Sequence, residues 1–366
     1  MTSQHTEQQP LGRVIRDDLR RGGHFTQMRR EYGELKEFYL SEEQHARLRT
    51  ASAVKGFFLT TWWLFKSLLL HMSSFRRILL LVTLVLLGLP RCEMHAQRLQ
   101  TSTETGGAVI VVLLLLLMME VKDKMLARSE LQAGRVVQKA LIPENPPQIP
   151  GWSVWLYYHP ANDVGGDLLD YLPLSDKRHG LAIGDIADKG LGAALLMAKL
   201  QATLRALAPD TPNLAKLAFK TNQIYVRDTL ANRFASLIYI EISPDSDKVR
   251  FVNAGHQPPF LIKSGIIEEW RKGNPALGIQ AGIEFAADSI DLAPGDMLLF
   301  YSDGLVDARD WEGAFYGEER LRADLERYKI ADAKLLGEKL IRRLQTFVGD
   351  SPTHDDITMI LLQRTK

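Results

Sequence analysis

Four aspartates, far apart in the chain and each beside an apolar run, constrain this sequence more than any other feature. Asp167 and Asp185 both follow glycine within residues 163–192, DVGGDLLDYLPLSDKRHGLAIGDIADKGLG. The apolar residues 181–183 precede the second of them. Asp303 follows the apolar run 297–301 in MLLFYSDG, and Asp355 precedes the run 357–362 in THDDITMILL. Glycine beside such a position lets the backbone turn sharply or approach a ligand closely. A carboxylate at a strand end can then reach a hard cation. Four of them with no matching cluster of bases point to an oxygen-ligand metal site.

Length and charge bound the remainder. A chain of 366 residues suggests about two to three domains. The formal net charge of +1 gives no global field toward nucleic acid, and no nucleic-acid partner is expected. Charged residues make up 24% of the chain, which excludes a wholly disordered or wholly membrane-embedded protein. The lone cysteine, Cys92, rules out an intrachain disulfide and is compatible with a cytoplasmic catalytic half. The first residues are polar, so no cleavable signal peptide is expected.

Residues 1–55 are polar, with both charge signs, and read as short helices around Gly22 and Gly23. Three apolar runs follow. Residues 56–75, with Trp62, Trp63 and Lys66, read as an interfacial amphipathic segment in contact with membrane lipid. Residues 76–120 read as a membrane hairpin with spans at about 77–94 and 102–119, flanked by basic residues. Each uncharged core of those spans is short against the ~20 residues a spanning helix needs. The competing reading is a set of core helices in a soluble sensor domain, against which the all-round apolar VIVVLLLLLMM argues. The expected location is therefore the cytoplasmic membrane, with the catalytic domain in the cytoplasm. Residues 121–150 read as a linker helix ending in a proline-rich junction, with a thin heptad at Leu126, Ala133 and Ala140.

Residues 151–366 alternate and repeat as a folded domain. Strands are predicted at 152–158, 180–185, 234–242, 248–253 and 296–301. Helices are predicted at 191–207, 212–229, 317–328 and 333–347. Because the elements come in blocks, the pattern predicts an α+β class.

The motifs GGDLLDY, GDIADKGLGAALLMA, NAGHQPPFL, FYSDGLVDARD, FYGEERL and DDITMILL resemble those of the PPM-type (type 2C) metal-dependent serine/threonine phosphatases, in the SpoIIE/RsbU branch. The resemblance runs from about 152 to 362 in the family's order. It implies an αββα sandwich, two Mn²⁺ or Mg²⁺ ions, and hydrolysis of phosphoserine or phosphothreonine on a regulatory protein of the anti-anti-sigma type. It also implies that Asp185 bridges both ions and that the Ile186 carbonyl ligates one of them. Asp303 and Asp355 complete the other ion's shell, and Asp167 serves the ion that Ile186 touches. The catalytic set is thus Asp185, Asp303 and Asp355. The resemblance also points to a dimerising helix at 120–142, and so to a homodimer, against a simple helical spacer.

Phosphate monoester hydrolysis needs roughly 20 kcal/mol of catalysis, which two divalent ions can largely supply. Asp356 is expected to face away from the site if its strand has begun. Asp170 is read as a cap or outer residue, and His256 as part of a structural turn rather than a general acid. His354 is a weaker acid candidate, and Asp188 either adjusts the metal loop or is solvated. Two other functions compete. One is a phosphatase-like binding module without turnover, which loss of an aspartate would have favoured. The other is a diguanylate cyclase, which needs an acidic residue after GGD where Leu168 stands.

Overall fold

The computed structural model describes residues 40, 44, 47–48, 53–71, 73–88, 99–228, 233–263, 265–328, 332–351 and 353–365. Most of the predicted polar segment 1–55 lies outside the described residues, as do 89–94 of the first predicted span. The chain divides into two compact units, Met1–Lys124 and Met125–Lys366.

The first unit holds α1 (Ala53–His71), α2 (Ser74–Gly88) and the start of α3 (Leu99–Leu141). Arg76 at the head of α2 pairs with Glu120 at 3.3 Å and Asp123 at 2.6 Å on α3. The membrane hairpin and the membrane location are corrected here. Among the described residues, no helix is long and apolar enough to cross a membrane. The 15 residues of α2 rise only about 22 Å, against about 30 Å of hydrocarbon. In α3 the run 106–119 is as short, bounded by Glu104 and Glu120. Lys55 and Lys66 interrupt α1. The predicted second span and linker helix are one continuous helix of 43 residues, because Glu120, Lys122 and Lys124 favour helix about as much as the leucines do.

The second unit is a sandwich. Its strands are β1 (Trp152–His159), β2 (Leu168–Ser175), β3 (Arg178–Ile186), β4 (Ala235–Ile242), β5 (Lys248–Ala254), β6 (Phe260–Lys263), β7 (Ile266–Glu269), β8 (Asp288–Asp291), β9 (Met297–Tyr301) and β10 (Ile357–Arg364). Its helices after α3 are α4 (Leu191–Leu207), α5 (Leu214–Asp228), the single turn α6 (Asp303–Val306), α7 (Gly317–Arg327) and α8 (Ala333–Val348). One antiparallel sheet runs β1-β10-β9-β6-β7, and the other β2-β3-β4-β5-β8.

The period of two along each strand explains the layers. In β9, Leu298 and Phe300 face the other sheet with Ile183, Ile238 and Ile360. Its alternate residues Met297, Leu299 and Tyr301 face α7 and α8 through Leu321, Leu336 and Leu340. The second sheet turns Ala182, Leu237 and Tyr239 toward Met197 and Leu200 of α4 and Leu217 of α5. The result is helix, sheet, sheet, helix, and strands buried on both faces read as continuous apolar runs. The expected α+β class and αββα sandwich are both present.

Candidate active site

All four aspartates lie at one end of the sandwich, and the strand registers put them there. Leu168 pairs with Gly184 across β2 and β3, so Asp167 enters β2 beside Asp185 as β3 ends. In the other sheet Met359 pairs with Tyr301, so Asp303 leaves β9 beside the approach to β10. Ser302 fastens that junction. Its backbone N–H donates to the Thr358 carbonyl at 2.9 Å and its hydroxyl to the Asp356 carbonyl at 3.2 Å. The two sheets meet where the Thr358 hydroxyl donates to Asp167 Oδ2 at 2.5 Å.

Crowding of negative charge is the main electrostatic fact. Burial, then the charges of Asp303, Asp355 and Asp356, push the Asp185 carboxyl up to about 7. Burial and the Asp185 charge hold Asp167 well above the usual carboxylate range. Burial and the Asp355 charge raise Asp303. Carboxylates in this state favour protons or cations as neighbours. Asp355 already has a cation: Lys189 Nζ stands 3.0 Å from its Oδ2 and 3.2 Å from the His354 carbonyl.

As the side chains stand, no three acidic or imidazole groups among the described residues are close enough to hold a metal ion. Two of the four carboxylates are drawn off, Asp355 to Lys189 and Asp167 to Thr358. The Ile186 carbonyl accepts from the Asp188 N–H at 2.6 Å, which leaves its second lone pair. The donor set still fits a hard divalent cation: carboxylate oxygens and a carbonyl at one end of the sandwich, three of the carboxyls raised by burial and then by one another's charge.

Asp356 departs from expectation. The strand begins only at Ile357, so the alternation that would turn Asp356 away does not yet operate. It is buried, and its Oδ2 accepts from the N–H groups of Gly166 at 2.5 Å and Asp167 at 3.3 Å. Its Oδ1 accepts from the Ala161 N–H at 2.8 Å. Asp356 therefore holds the loop that carries Asp167. A Cβ at Gly165 would collide with that carboxylate and with the Tyr158 hydroxyl, which explains glycine there. From α3, the Gln138 amide closes on the same residue. It donates to the Gly165 carbonyl at 2.7 Å and accepts from the Gly165 N–H at 2.9 Å.

The other candidates are placed as follows. Asp170 is buried on β2, its carboxylate held by two hydrogen bonds from Arg205 at 2.9 and 2.7 Å; it belongs to the packing of α4. Asp188 pairs with Arg233, which holds its carboxyl below the usual range. His256 is buried, which lowers its imidazole to about 4. Its Nδ1 lies 2.7 Å from Ser236 Oγ, which in turn accepts from the Asp185 N–H at 3.2 Å. Asn253 closes the turn through the His256 N–H at 2.8 Å and carbonyl at 3.0 Å. His256 thus supports the Asp185 strand end and stays uncharged near neutral pH. Gln138, Lys189 and Thr358 were not legible as site residues, though Lys189 is a lone base within GDIADKG. Asp356, expected to face away, instead holds the Asp167 loop.

The sequence profile of the family described as Stage II sporulation protein E (SpoIIE) matches residues 175–365. The chain belongs to the SpoIIE family. Asp185, Asp303 and Asp355 fall inside the matched segment and Asp167 before it. Protein IcfG of Synechocystis is 30% identical over 273 residues, covering 67% of this chain and 43% of that protein. Phosphoserine phosphatase RsbU of Bacillus subtilis is 25% identical over 240 residues, 65% of this chain and 70% of that one. The chain thus spans less than half the length of IcfG. Among solved structures, the SiaA-PP2C domain of Pseudomonas aeruginosa superposes with a TM-score of 0.58 at 20% identity, covering 67% of this chain and 99% of that domain. The SpoIIE-type domain here is thus homologous to a protein named phosphoserine phosphatase, and it shares the fold of the SiaA-PP2C domain.

Proposed function

We propose that this chain is a phosphoprotein phosphatase. It hydrolyses phosphoserine or phosphothreonine on a regulatory protein of the anti-anti-sigma type. The observation that carries the reading is the convergence of Asp167, Asp185, Asp303 and Asp355 at one end of the sandwich, with raised carboxyls on three of them. Asp167, Asp185, the Ile186 carbonyl, Asp303 and Asp355 are the residues that would hold two divalent ions, with Asp185 the one that would be shared between them. When bound, such ions would supply Lewis-acid charge for the phosphoryl oxygens and an acidified water.

The chain's own residues do the remainder. Asp356, Thr358 and Gln138 fix the loop of Asp167, and Ser236 fixes the end of β3 under Asp185. Lys189, paired with Asp355, offers a positive charge at the site to an anionic ester. Water's oxygen joins phosphorus, the bond to the serine oxygen breaks, and serine leaves as the alcohol. Pairing of two chains through α3, where Met125, Leu126, Val136 and Val137 are exposed, is part of the same reading.

The test uses the full chain with p-nitrophenyl phosphate and a phosphoserine peptide. Turnover is expected with Mn²⁺ or Mg²⁺ and abolished by EDTA. Asp185→Asn is expected to lose several orders of magnitude in rate, because two-metal clamping carries most of the catalysis. Metal-independent turnover, or a folded Asp185→Asn chain with near wild-type rate, refutes the reading.

A further inference from the structure

Two residues past α6, the chain makes a small hydrogen-bonded hairpin that no step above uses. It is rooted on the Asp303 turn, where the Asp307 N–H donates to the Asp303 carbonyl at 2.8 Å. Its legs are paired: Tyr316 N–H donates to the Ala308 carbonyl at 2.8 Å, Arg309 and Phe315 form an antiparallel bridge, and Asp310 N–H donates to the Ala314 carbonyl at 3.1 Å. The Asp310 carboxylate then accepts from the N–H groups of Glu312 and Ala314, each at 2.9 Å. Gly313 at φ 86° closes the tip, a conformation that other residues rarely adopt. At its base Tyr316 is buried against Phe347 and donates its hydroxyl to Asp324 at 2.6 Å.

What this framework presents is Trp311, 83% exposed at the tip. The Arg309 guanidinium lies 4.5 Å over the Phe315 ring and fixes that half-exposed aromatic behind it. An isolated exposed apolar residue on a loose loop would need no explanation. A tryptophan held out by a hairpin cross-linked on both legs pays less ordering cost on binding, which favours an interface anchor.

We propose that Trp311 is the docking anchor for the folded phosphoprotein substrate. The proposal rests on the phosphatase reading above and says how that site selects a protein over a small ester. Distance supports the occupant. From Asp303 the turn and hairpin leg place Trp311 no farther than about 20 Å away along the chain. A standard protein interface covers roughly 800 Å² on each partner, a patch about 32 Å across. A folded protein seating its phosphoserine at Asp303 has a footprint wide enough to reach the hairpin. Charge adds a second requirement. Asp307, Glu312, Glu318 and Glu319 lie in the hairpin or beside its base in the sequence, against Arg309 and Arg320. The matching surface on the substrate is an apolar socket with a basic rim, set beside the phosphoserine.

The experiment compares wild type, Trp311→Ala and Trp311→Phe as full chains with Mn²⁺. The small probe is p-nitrophenyl phosphate. The folded probes are phosphoserine forms of anti-anti-sigma-type domains from the same organism, and the one that wild type turns over fastest is carried forward. Trp311→Ala is expected to raise KM for the folded probe at least tenfold with kcat within twofold. Its p-nitrophenyl phosphate kinetics stay within twofold of wild type, and Trp311→Phe recovers most of the loss. An unchanged KM for the folded probe overturns the proposal. So does an equal loss on both probes, which marks a structural role, or a wild type that turns over the small ester and none of the folded domains. Light scattering is run in parallel, and a dimer that Trp311→Ala dissociates assigns the tryptophan to a second copy and overturns it too. Failure of wild type to hydrolyse p-nitrophenyl phosphate with Mn²⁺ removes the phosphatase reading itself, and this proposal with it.

Discussion

Asp355 and Asp356 are adjacent, both acidic, and do different work because one residue of strand alternation has not yet begun. Asp355 is partly exposed and paired to Lys189. Asp356 is buried and accepts three backbone N–H groups from the 161–167 loop. Replacing Asp356 by Asn keeps the volume, but its amide nitrogen would face a donor N–H. A buried donor left unmatched costs about 1–3 kcal/mol. Residues that orient metal ligands typically cost 10- to 100-fold in affinity or activity when changed. Asp356→Asn is therefore expected to lower the Mn²⁺-dependent rate by roughly that factor and to lower the melting temperature. Asp245→Asn, at an exposed pair with Lys177, serves as the control and should do neither. A normal rate and apparent Mn²⁺ affinity in Asp356→Asn would show that the Asp167 loop holds its shape unaided.

At the scale of elements, the end of α3 is part of the catalytic unit. The Gln138 side chain is buried and grips both backbone groups of Gly165, and the Leu141 carbonyl accepts from Gln201 of α4 at 2.8 Å. Gln138→Ala leaves a buried N–H and a buried carbonyl unpaired two residues before Asp167. The expected result is a higher Mn²⁺ requirement for half-maximal rate, with most of the rate recovered at saturating metal. Titration of activity against Mn²⁺ checks it, and an unshifted curve makes α3 a tether only. This contact was invisible in the sequence, because a glutamine in a charged helix carries no periodic signal and its partner is backbone. The long elements were legible. Strands β1, β3, β4, β5 and β9 follow their apolar runs, and α4, α5, α7 and α8 follow the helical period, each to within a few residues. The four-residue β6, β7 and β8 were missed, since Ile290 alone is buried in β8. So was β2, where Pro173 and the charged Asp170 break the pattern. Asp170 is tolerated there only because Arg205 reaches it from α4. The carboxylate set was legible because each member sits beside an apolar run, whereas the apolar helices before Lys124 misled by composition where length decides.

For the whole molecule, closing the sandwich brings two carboxylates from each sheet to one end, so folding works against their repulsion until cations arrive. Asp185 measures the effect. Its carboxyl is raised from the unfolded 3.8 to about 7 in the fold. The sign follows from linkage. Below about pH 4 the group is protonated in both states and behaves like asparagine. As pH rises through 7 the unfolded chain gains from ionisation that the fold resists, and stability is lost. Buried His256, lowered to about 4, runs the other way. It destabilises the fold as pH falls from about 6.5 toward 4. A raw stability profile therefore mixes the two, but the difference between wild type and Asp185→Asn cancels the histidine. In EDTA, Asp185→Asn is expected to melt several degrees above wild type at pH 8, with the gap closing toward pH 4. Saturating Mn²⁺ should narrow that gap at pH 8, because the binding free energy goes chiefly to wild type, about 2.7 kcal/mol at a hundredfold excess over Kd. Calorimetry of both chains at pH 4.5, 6 and 8, with and without Mn²⁺, reads the whole pattern. If Asp185→Asn melts below wild type at pH 8 in EDTA, the metal-free repulsion is absent. If Mn²⁺ stabilises both chains equally, Asp185 is no ligand.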